Sequence, residues 1–316
     1  MKRVLVTGGA GFIGSHLCKA LLDRGDEVAI YDNFDPFYPA ELKRRAIDAR
    51  ARLFEADVRD EGALAAALQA SRPDVVVHLA SLAGVRPSLE RPAEYMDVNA
   101  RGTTCVLEAS RRAGVRRFLL GSSSSVYGAS AVAPFVESAR TDSPESPYAA
   151  SKVASEVIAR TFHNLYRIEI AALRFFTVYG PRQRPDLAIH KFSRLMLAGR
   201  PLPFFGDGSS RRDYTWVDDI VAGVVAACDV PQLSWDVINL GGAQTTSLAQ
   251  LVSMLEECLG VPAILDRKPA QAGDVPLTSA DVTHAREVLG YAPKTPIREG
   301  LRKFAAWIGG EGRDWV

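Results

Sequence analysis

Short apolar runs alternate with amphipathic stretches along the first half of the chain. The β-branched runs predict strands at 4–6, 28–31, 53–55, 75–79, 118–121 and 170–175. Apolar residues at helical spacing predict helices at 15–24, 61–71, 103–113 and 151–166. Strands that alternate with helices in this way are typical of an α/β fold with a doubly wound parallel sheet, covered by helices on both faces.

Beyond about residue 180 the pattern changes to Pro- and Gly-rich connections between shorter elements. Helices are predicted near 189–197 and 248–259, and the apolar run at 237–240 predicts a strand that rejoins the main sheet. We therefore expect a large domain over residues 1–180, rejoined by 237–245. A smaller mixed α/β lobe is expected over 181–316, interdigitated with the first.

The composition excludes several classes of function. The 316 residues carry 38 Lys and Arg against 37 Asp and Glu, so no net charge favours nucleic acid or an anionic membrane. The basic stretch at 43–52 is interpreted as a solvated helix face. No apolar run approaches the roughly 20 residues of a membrane span, and the first strand leaves no room for a signal peptide. The cysteines at 18, 105, 228 and 258 lack paired spacing, which predicts reduced thiols, no metal site and a cytoplasmic protein.

A glycine-rich segment follows the first predicted strand. Gly9, Gly11 and Gly14 give the G-x-G-x-x-G spacing, which lets a backbone without side chains approach a pyrophosphate at a helix amino terminus. Asp32 ends the second strand, where a carboxylate accepts hydrogen bonds from the adenosine ribose and repels a 2′-phosphate. The two features predict a Rossmann-type domain that binds NAD rather than NADP. Asp57, after the third strand, either reaches the adenine or caps the next helix.

Tyr148 and Lys152 lie four residues apart near the start of a predicted helix, on one face. A free tyrosine has a pKa of about 10, and a nearby ammonium lowers that pKa, which suits Tyr148 to act as general acid and base. Such a pair also occurs by chance on surface helices. The serines at 122–125 follow the fifth strand, at the sheet edge where ligands bind. The combination with the glycine loop makes the pattern specific.

Together these motifs resemble the extended short-chain dehydrogenases, in the branch of nucleotide-sugar epimerases and dehydratases, over essentially the whole chain. The resemblance implies the triad Ser123, Tyr148 and Lys152, and a homodimer. Dehydratases of this branch carry an Asp-Glu pair where this chain has Ser124 and Ser125, so dehydration is not expected. The implied NAD contacts are Gly8, Gly11, Phe12, Ile13, Gly14, Asp32, Asn33, Asp57, Val58, Leu79, Ala80, Ser81, Asn99, Ser122, Tyr148, Lys152 and Phe175.

The resemblance also suggests which sugar is bound by the smaller lobe. Thr177 replaces the Asn usual in UDP-glucose epimerases, and the run at 177–186, with 83–86 and 32–34, is similar to UDP-glucuronate 4-epimerases. Thr177 and Arg184 would then bind the C6 carboxylate, unless Arg184 is a surface residue. Arg212 is expected at the diphosphate, or else in a salt-bridged loop. The implied substrate contacts are Arg86, Ser123, Ser124, Ser125, Tyr148, Thr177, Arg184, Arg212, Gln271 and Asp274.

The implied reaction is an isomerisation. The C4 hydroxyl of UDP-glucuronate is oxidised to a 4-keto sugar, which turns over in the site and is reduced on its opposite face to UDP-galacturonate. One alternative is a UDP-glucose or UDP-N-acetylglucosamine 4-epimerase. Others are a UDP-glucuronate decarboxylase and an NAD-binding sensor without chemistry, and the complete triad argues against the sensor.

Overall fold

The computed structural model describes residues 1–129, 131–269 and 275–315. Its strands are β1 (Arg3–Thr7), β2 (Glu27–Asp32), β3 (Arg52–Glu55), β4 (Val75–His78), β5 (Arg117–Ser123), β6 (Glu169–Phe175), β7 (Thr177–Tyr179), β8 (Leu202–Phe205), β9 (Arg211–Trp216), β10 (Trp235–Leu240), β11 (Thr245–Ser247) and β12 (Leu265–Lys268). Each strand predicted above lies within two residues of an observed one, so those predictions are confirmed.

A seven-stranded sheet in the order β10-β6-β5-β4-β1-β2-β3 organises the fold. Every neighbouring pair is parallel, which confirms the predicted Rossmann-type α/β class. Side chains alternate between its two faces. Val4 and Val6 pack into one buried cluster, and Leu5, between them, packs into the other. Both faces are therefore covered, as a parallel sheet requires.

The helices connect and cover these strands. They are α1 (Phe12–Asp23), α2 (Ala40–Arg45), α3 (Glu61–Ser71), α4 (Val85–Glu90), α5 (Pro92–Tyr95), α6 (Gly102–Arg112), α7 (Pro147–Tyr166), α8 (Ala188–Leu197), α9 (Val217–Asp229), α10 (Leu248–Leu259), α11 (Thr283–Leu289) and α12 (Ile297–Gly309). A π-helical segment, Met96–Arg101, precedes α6. Within the described ranges, no helix combines the length and the apolar character needed to cross a membrane.

Helix α7 begins four residues before the apolar repeat at 151–166, and one residue before Tyr148, which the sequence analysis placed near the helix start. The side chain of Ser146 accepts a hydrogen bond from the Ala149 N–H, and Pro147 occupies the first helical position, where its missing N–H costs nothing. The earlier start places Tyr148 and Lys152 in the first two turns of a formed helix. Their relative position is therefore fixed by the helix, not by a loop.

The second part of the chain adds two small sheets. One has the order β11-β9-β7 and the other pairs β12 with β8. Strand β7 begins two residues after β6 ends, so the sheet β11-β9-β7 lies next to the carboxyl edge of the main sheet. This connection brings Thr177 and the segment before α8 to the same edge as the ends of β1, β4 and β5.

The basic stretch at 43–52 is solvated at Arg44, Arg45, Arg50 and Arg52, as the sequence predicted, but it is helical only as far as Arg45 and its one lysine is buried. Helix α2 ends at Arg45, and the ammonium of Lys43 is buried, where it donates to the Asp35 carbonyl oxygen at 2.6 Å. The Arg44 guanidinium lies over the Phe34 ring, 4.0 Å from its centre. A lysine has a long aliphatic stem and can pack inward as Lys43 does, which a charge pattern alone does not reveal.

Candidate active site

The glycine loop turns sharply between β1 and α1. Gly8 has a φ of +70°, and a Cβ there would lie 2.6 Å from the Ala80 nitrogen. A Cβ on Gly14 would lie 2.1 Å from the Gly8 carbonyl oxygen. A Cβ on Gly11 would meet only that oxygen, at 3.2 Å. Packing therefore requires glycine at positions 8 and 14, whereas Gly11 leaves the amino end of α1 open, as a bound pyrophosphate needs.

Asp32 fastens this loop to the chain that follows β2. One carboxylate oxygen accepts the Ala10 N–H at 3.0 Å and the other accepts the Phe34 N–H at 2.9 Å. Burial raises the pKa of Asp32, and these two hydrogen bonds work in the opposite direction. A carboxylate offers about four acceptor positions, so two remain for the hydroxyls of a ribose.

The neighbouring Asp57 is not a helix cap. Its carboxylate accepts two hydrogen bonds from the Arg59 guanidinium, at 2.8 and 2.7 Å, one from the Arg59 backbone N–H at 2.9 Å and one from Asn33 at 3.0 Å. These bonds lower the pKa of Asp57 to about 2. The cap of α3 is Asp60, whose side chain accepts the Ala63 N–H. The adenine-side prediction for Asp57 and Asn33 is the alternative that remains.

The other predicted NAD contacts lie along the same edge of the sheet. Phe12 and Ile13 open α1, Val58 follows β3, Leu79, Ala80 and Ser81 follow β4, and Ser122 and Phe175 lie in β5 and β6. The side-chain amide of Asn99 is already hydrogen-bonded within the protein. Its oxygen accepts from the Leu82 N–H, and its nitrogen donates to the Leu82 carbonyl oxygen and to the Ser151 hydroxyl. The amide of Asn99 therefore braces the loop after β4, and a direct contact with NAD stays a prediction.

The three residues of the predicted triad converge at the end of β5. Ser123 is hydrogen-bonded to the Tyr148 phenol and lies 3.1 Å from the Ser125 hydroxyl oxygen. The buried Lys152 ammonium donates to the Gly121 carbonyl oxygen at 2.9 Å. A phenol, a hydroxyl and an ammonium at one sheet edge can move a proton to and from a ligand hydroxyl.

The electrostatics of Tyr148 differ from the sequence expectation. Burial raises the pKa of the phenol, and the groups that lower it are Ser123, by its hydrogen bond, and Arg184, by its charge. The ammonium of Lys152 is engaged with β5, and burial lowers the pKa of Lys152 to about 8, against an opposing effect of Glu156. Arg184 therefore has the role that the sequence analysis gave to Lys152.

Replacing Lys152 by methionine should change how stability depends on pH. The pKa of Lys152 is about 8 in the folded chain and near 10.4 when unfolded, so folding carries a penalty for the charged form below pH 8. That penalty disappears as pH rises to 10.4, and at about 1.4 kcal/mol per pKa unit it amounts to roughly 3 kcal/mol. In urea unfolding, the free energy of unfolding of the wild type relative to that of the variant should be higher at pH 10 than at pH 7.5. An equal difference at both pH values would contradict the buried ammonium, and Lys19→Met, at an exposed site, is the control.

A buried ion pair lies next to the triad, and the sequence analysis did not single it out. Glu156 accepts two hydrogen bonds from Arg174, at 3.0 and 2.8 Å, and one from the Ser122 hydroxyl. Both charged side chains are less than a tenth exposed. One signal was available: a glutamate four residues after Lys152 on the same helix face, together with an arginine inside an apolar strand.

A cavity of about 680 Å³ opens between the loop after β2, helix α4 and helix α8. The cationic side chains that line it are Arg86, Lys191, Arg194 and Arg200. The one carboxylate among the described lining residues is Asp186, and Nε of Arg194 is buried without a hydrogen-bond partner in the described part of the chain. This excess of cations suits an anionic ligand. Only Arg86 of the four was predicted.

The remaining predicted substrate residues fall into three groups. Ser124 and Ser125 begin the 3₁₀ turn Ser124–Tyr127 after β5. Thr177 lies in β7 opposite Tyr214, and Arg212 lies in β9, not in a loop, with Nη1 donating to the Arg211 carbonyl at 2.9 Å. Gln271 and Asp274 lie outside the described residues. The Arg184 side chain is only 16% exposed, which rules out the surface alternative.

Residues 4–241 match the NAD dependent epimerase/dehydratase family. The chain belongs to this family. It is 38% identical to the probable UDP-glucuronate 4-epimerase of Rhizobium meliloti, over 96% of both chains. The structure of the Bacillus cereus UDP-glucuronic acid 4-epimerase with UDP-glucuronic acid and NAD superposes with a TM-score of 0.91, at 37% identity over 97% of this chain and 98% of that one. The Thermotoga maritima UDP-glucose 4-epimerase with UDP-glucose gives 0.91 at 34% identity, over 98% and 99%.

Membership of an NAD-dependent family agrees with the geometry of the glycine loop. The open backbone at Gly11, the amino end of α1 and the free acceptor positions of Asp32 are the features that a dinucleotide needs. NAD is therefore the cofactor, and the carboxyl edge of the main sheet is its binding site.

Proposed function

We propose that the chain is a UDP-glucuronate 4-epimerase, an NAD-dependent isomerase that interconverts UDP-glucuronate and UDP-galacturonate. The observation that carries the proposal is a largely buried cation on the same side of the site as the base: the Arg184 side chain is 16% exposed, and its charge lowers the pKa of the Tyr148 phenol. In a uronate, the carboxylate is attached to C5, next to the C4 that reacts. A cation close to the base is therefore well placed to bind the carboxylate of a uronate. A neutral sugar has no negative charge there for the cation to bind.

Bound NAD supplies an acceptor for the C4 hydride and returns it to the opposite face of the sugar. The chain itself moves the proton. Tyr148 takes the proton of the C4 hydroxyl as the carbonyl forms and gives it back when the carbonyl is reduced, while Ser123 holds the phenol by a hydrogen bond. Lys152 donates from its ammonium to the Gly121 carbonyl oxygen of β5, which anchors the first turns of α7 and so fixes where Tyr148 lies.

Ser124 and Ser125 support epimerisation over dehydration. Eliminating water from the 4-keto sugar requires an additional acid and base, and both positions carry hydroxyls that do not titrate near neutral pH. The Ser125 hydroxyl is already hydrogen-bonded to Ser123. The two serines are placed to contact the sugar without adding proton chemistry.

We assign the anionic groups of the substrate to two regions. Arg86 and Arg212, with the cations of α8, bind the diphosphate, since guanidinium groups match phosphate oxygens. Thr177 and Arg184 bind the C6 carboxylate. Holding it matters because a 4-keto uronate is a β-keto acid: when the C5–C6 bond breaks, its electron pair moves to the C4 carbonyl, carbon dioxide leaves and C5 takes a proton.

The test is to incubate the purified protein separately with UDP-glucuronate, UDP-glucose and UDP-N-acetylglucosamine, and to follow products by NMR and mass spectrometry. We expect UDP-glucuronate to give its C4 epimer without loss of mass. Conversion of the neutral sugars alone would contradict the proposal and favour the second candidate, a UDP-glucose-type 4-epimerase, to which the Thermotoga maritima structure is similar. Loss of 44 mass units, about one carbon dioxide, would indicate the decarboxylase.

Organisation and setting are part of the proposal. We infer a division into an NAD-binding domain of residues 1–180 with 237–245 and a nucleotide-sugar lobe of 181–316. We also infer a homodimer that acts in the cytoplasm. The exposed Val157 and Leu165, which lie two turns apart on α7, support pairing through this helix. The buried, unbridged Cys18 and Cys228 support a reducing compartment.

A further inference from the structure

We propose that Asp186 is a positioning residue: it orients the Arg184 guanidinium so that one edge binds the sugar carboxylate in a fixed plane. The sequence analysis included Asp186 only as the last residue of the 177–186 run and gave it no role. The inference rests on the proposed function and deepens it, because it names the group that sets selectivity for a uronate.

The pair is fixed by a tight turn. Arg184, Pro185, Asp186 and Leu187 form it, with the Leu187 N–H donating to the Arg184 carbonyl at 3.2 Å. Proline at the second position fixes the backbone of this turn. Within it, Nε and Nη2 of Arg184 donate to the two oxygens of Asp186, at 3.0 and 2.7 Å. A bidentate pair of this kind fixes the plane of the guanidinium as well as its position.

Two further contacts close the other sides of the guanidinium. The Phe37 ring stacks on one face, with its centre 4.8 Å from Cζ of Arg184. Gly84 approaches from the loop after β4, and a Cβ there would lie 3.2 Å from Nη2. Gly84 has a φ of +112°, a conformation that favours glycine. The Arg184 guanidinium is therefore held by the Asp186 carboxylate, the Phe37 ring and the backbone at Gly84.

Asp186 leaves some of the donors of Arg184 available for a second ligand. A guanidinium has five N–H bonds, and Asp186 accepts one from Nε and one from Nη2. Two on Nη1 and one on Nη2 are left. One N–H on each of these nitrogens forms the end edge, which takes a carboxylate with two parallel hydrogen bonds. A sugar carboxylate bound there lies in the guanidinium plane. That plane keeps the carboxylate from turning perpendicular to the C4 carbonyl, the orientation in which the C5–C6 bond breaks.

Asp186→Asn is the variant that tests this role. The amide keeps the shape of the side chain but offers a single acceptor oxygen. Arg184 can then no longer donate two parallel hydrogen bonds from Nε and Nη2, and the plane of its guanidinium is no longer fixed. We expect KM for UDP-glucuronate to rise by about tenfold, a smaller fall in kcat, and a larger share of turnovers that release carbon dioxide. Initial rates measured by NMR and ¹⁴C release from the C6-labelled sugar give the three quantities. Asp186→Glu, which keeps the charge, should restore part of the wild-type KM.

Asp74→Asn is the matched control. Asp74 accepts from Nε and Nη2 of Arg3 in the same way, at 3.3 and 2.7 Å, at the amino edge of the sheet and away from the site. It should leave KM and carbon dioxide release unchanged. Unaltered KM and product ratio in Asp186→Asn, or a fall in KM, would overturn the inference. Failure of the wild type to convert UDP-glucuronate would instead overturn the proposed function, and equal thermal unfolding of the variants excludes misfolding as the cause.

Discussion

Replacement of Tyr148 by phenylalanine is expected to lower turnover of the UDP-sugar about a thousandfold, because general acid and base catalysis is typically worth between about 100 and 10,000. The change removes one hydroxyl and keeps the ring that packs against Tyr95, 6.3 Å between centres. Substrate affinity and thermal stability should therefore stay close to the wild-type values. The rate of C4 epimer formation, followed by NMR at saturating substrate, measures the loss.

Tyr166→Phe provides the comparison. Tyr166 lies at the end of the same helix, is nearly half exposed, and packs against Phe162 and under Arg111. Loss of its hydroxyl should leave turnover within about twofold. If Tyr148→Phe retained a rate near that of Tyr166→Phe, the phenol would not be the proton carrier, and Ser123 would be the group to examine next.

The second large effect is on stability. Glu156→Gln should lower the free energy of unfolding by about 3 to 5 kcal/mol, because the Arg174 guanidinium, 4% exposed, is left as an uncompensated buried charge. Glutamine keeps one acceptor oxygen for a neutral hydrogen bond, which places the expected loss toward the lower end. Urea unfolding at pH 7 gives the value.

A surface ion pair supplies the reference for this experiment. Glu108 accepts hydrogen bonds from Arg111 and Arg112 on the exposed side of α6. Glu108→Gln should cost less than about 1 kcal/mol, since water screens that pair. Similar losses in the two variants would mean that water reaches Arg174. A second check is Glu156→Leu combined with Arg174→Met, which removes both charges and should recover much of the stability.

The parts of the fold that depend on local periodicity were predictable from the sequence. The strands of the main sheet, the glycine loop and the spacing of Tyr148 and Lys152 all follow from short-range patterns. The apolar repeat alone gave residue 151 as the start of α7, because the serine and proline that begin the helix lie outside it, whereas the motif from Tyr148 to Lys152 placed the start within one residue. The capping alternative for Asp57 remained open for a similar reason, since a second aspartate, three residues on, fills that position.

The electrostatics of the site were not predictable, because they depend on burial and on contacts between distant segments. Lys43 and Lys152 are lysines in helical stretches, like many exposed ones, yet both are buried and bond backbone carbonyls. The charge that acts on Tyr148 comes from Arg184, 36 residues along the chain. Only the path from β6 into β7 brings them together.

The strand β10 has a consequence for how this enzyme can be altered. It comes from residues 235–240 and pairs with β6 over six residues, from Trp235 opposite Ile170 to Leu240 opposite Phe175. One outer strand of the cofactor-side sheet is thus encoded among the sugar-side elements, after α9 and before β11. Exchange of the carboxyl-terminal half between relatives would carry a border of the main sheet with it. Such an exchange would change the sugar-binding elements and the pairing of the main sheet at the same time. A chimera meant to change only the sugar preference should therefore keep residues 235–240 and β6 from the same parent protein.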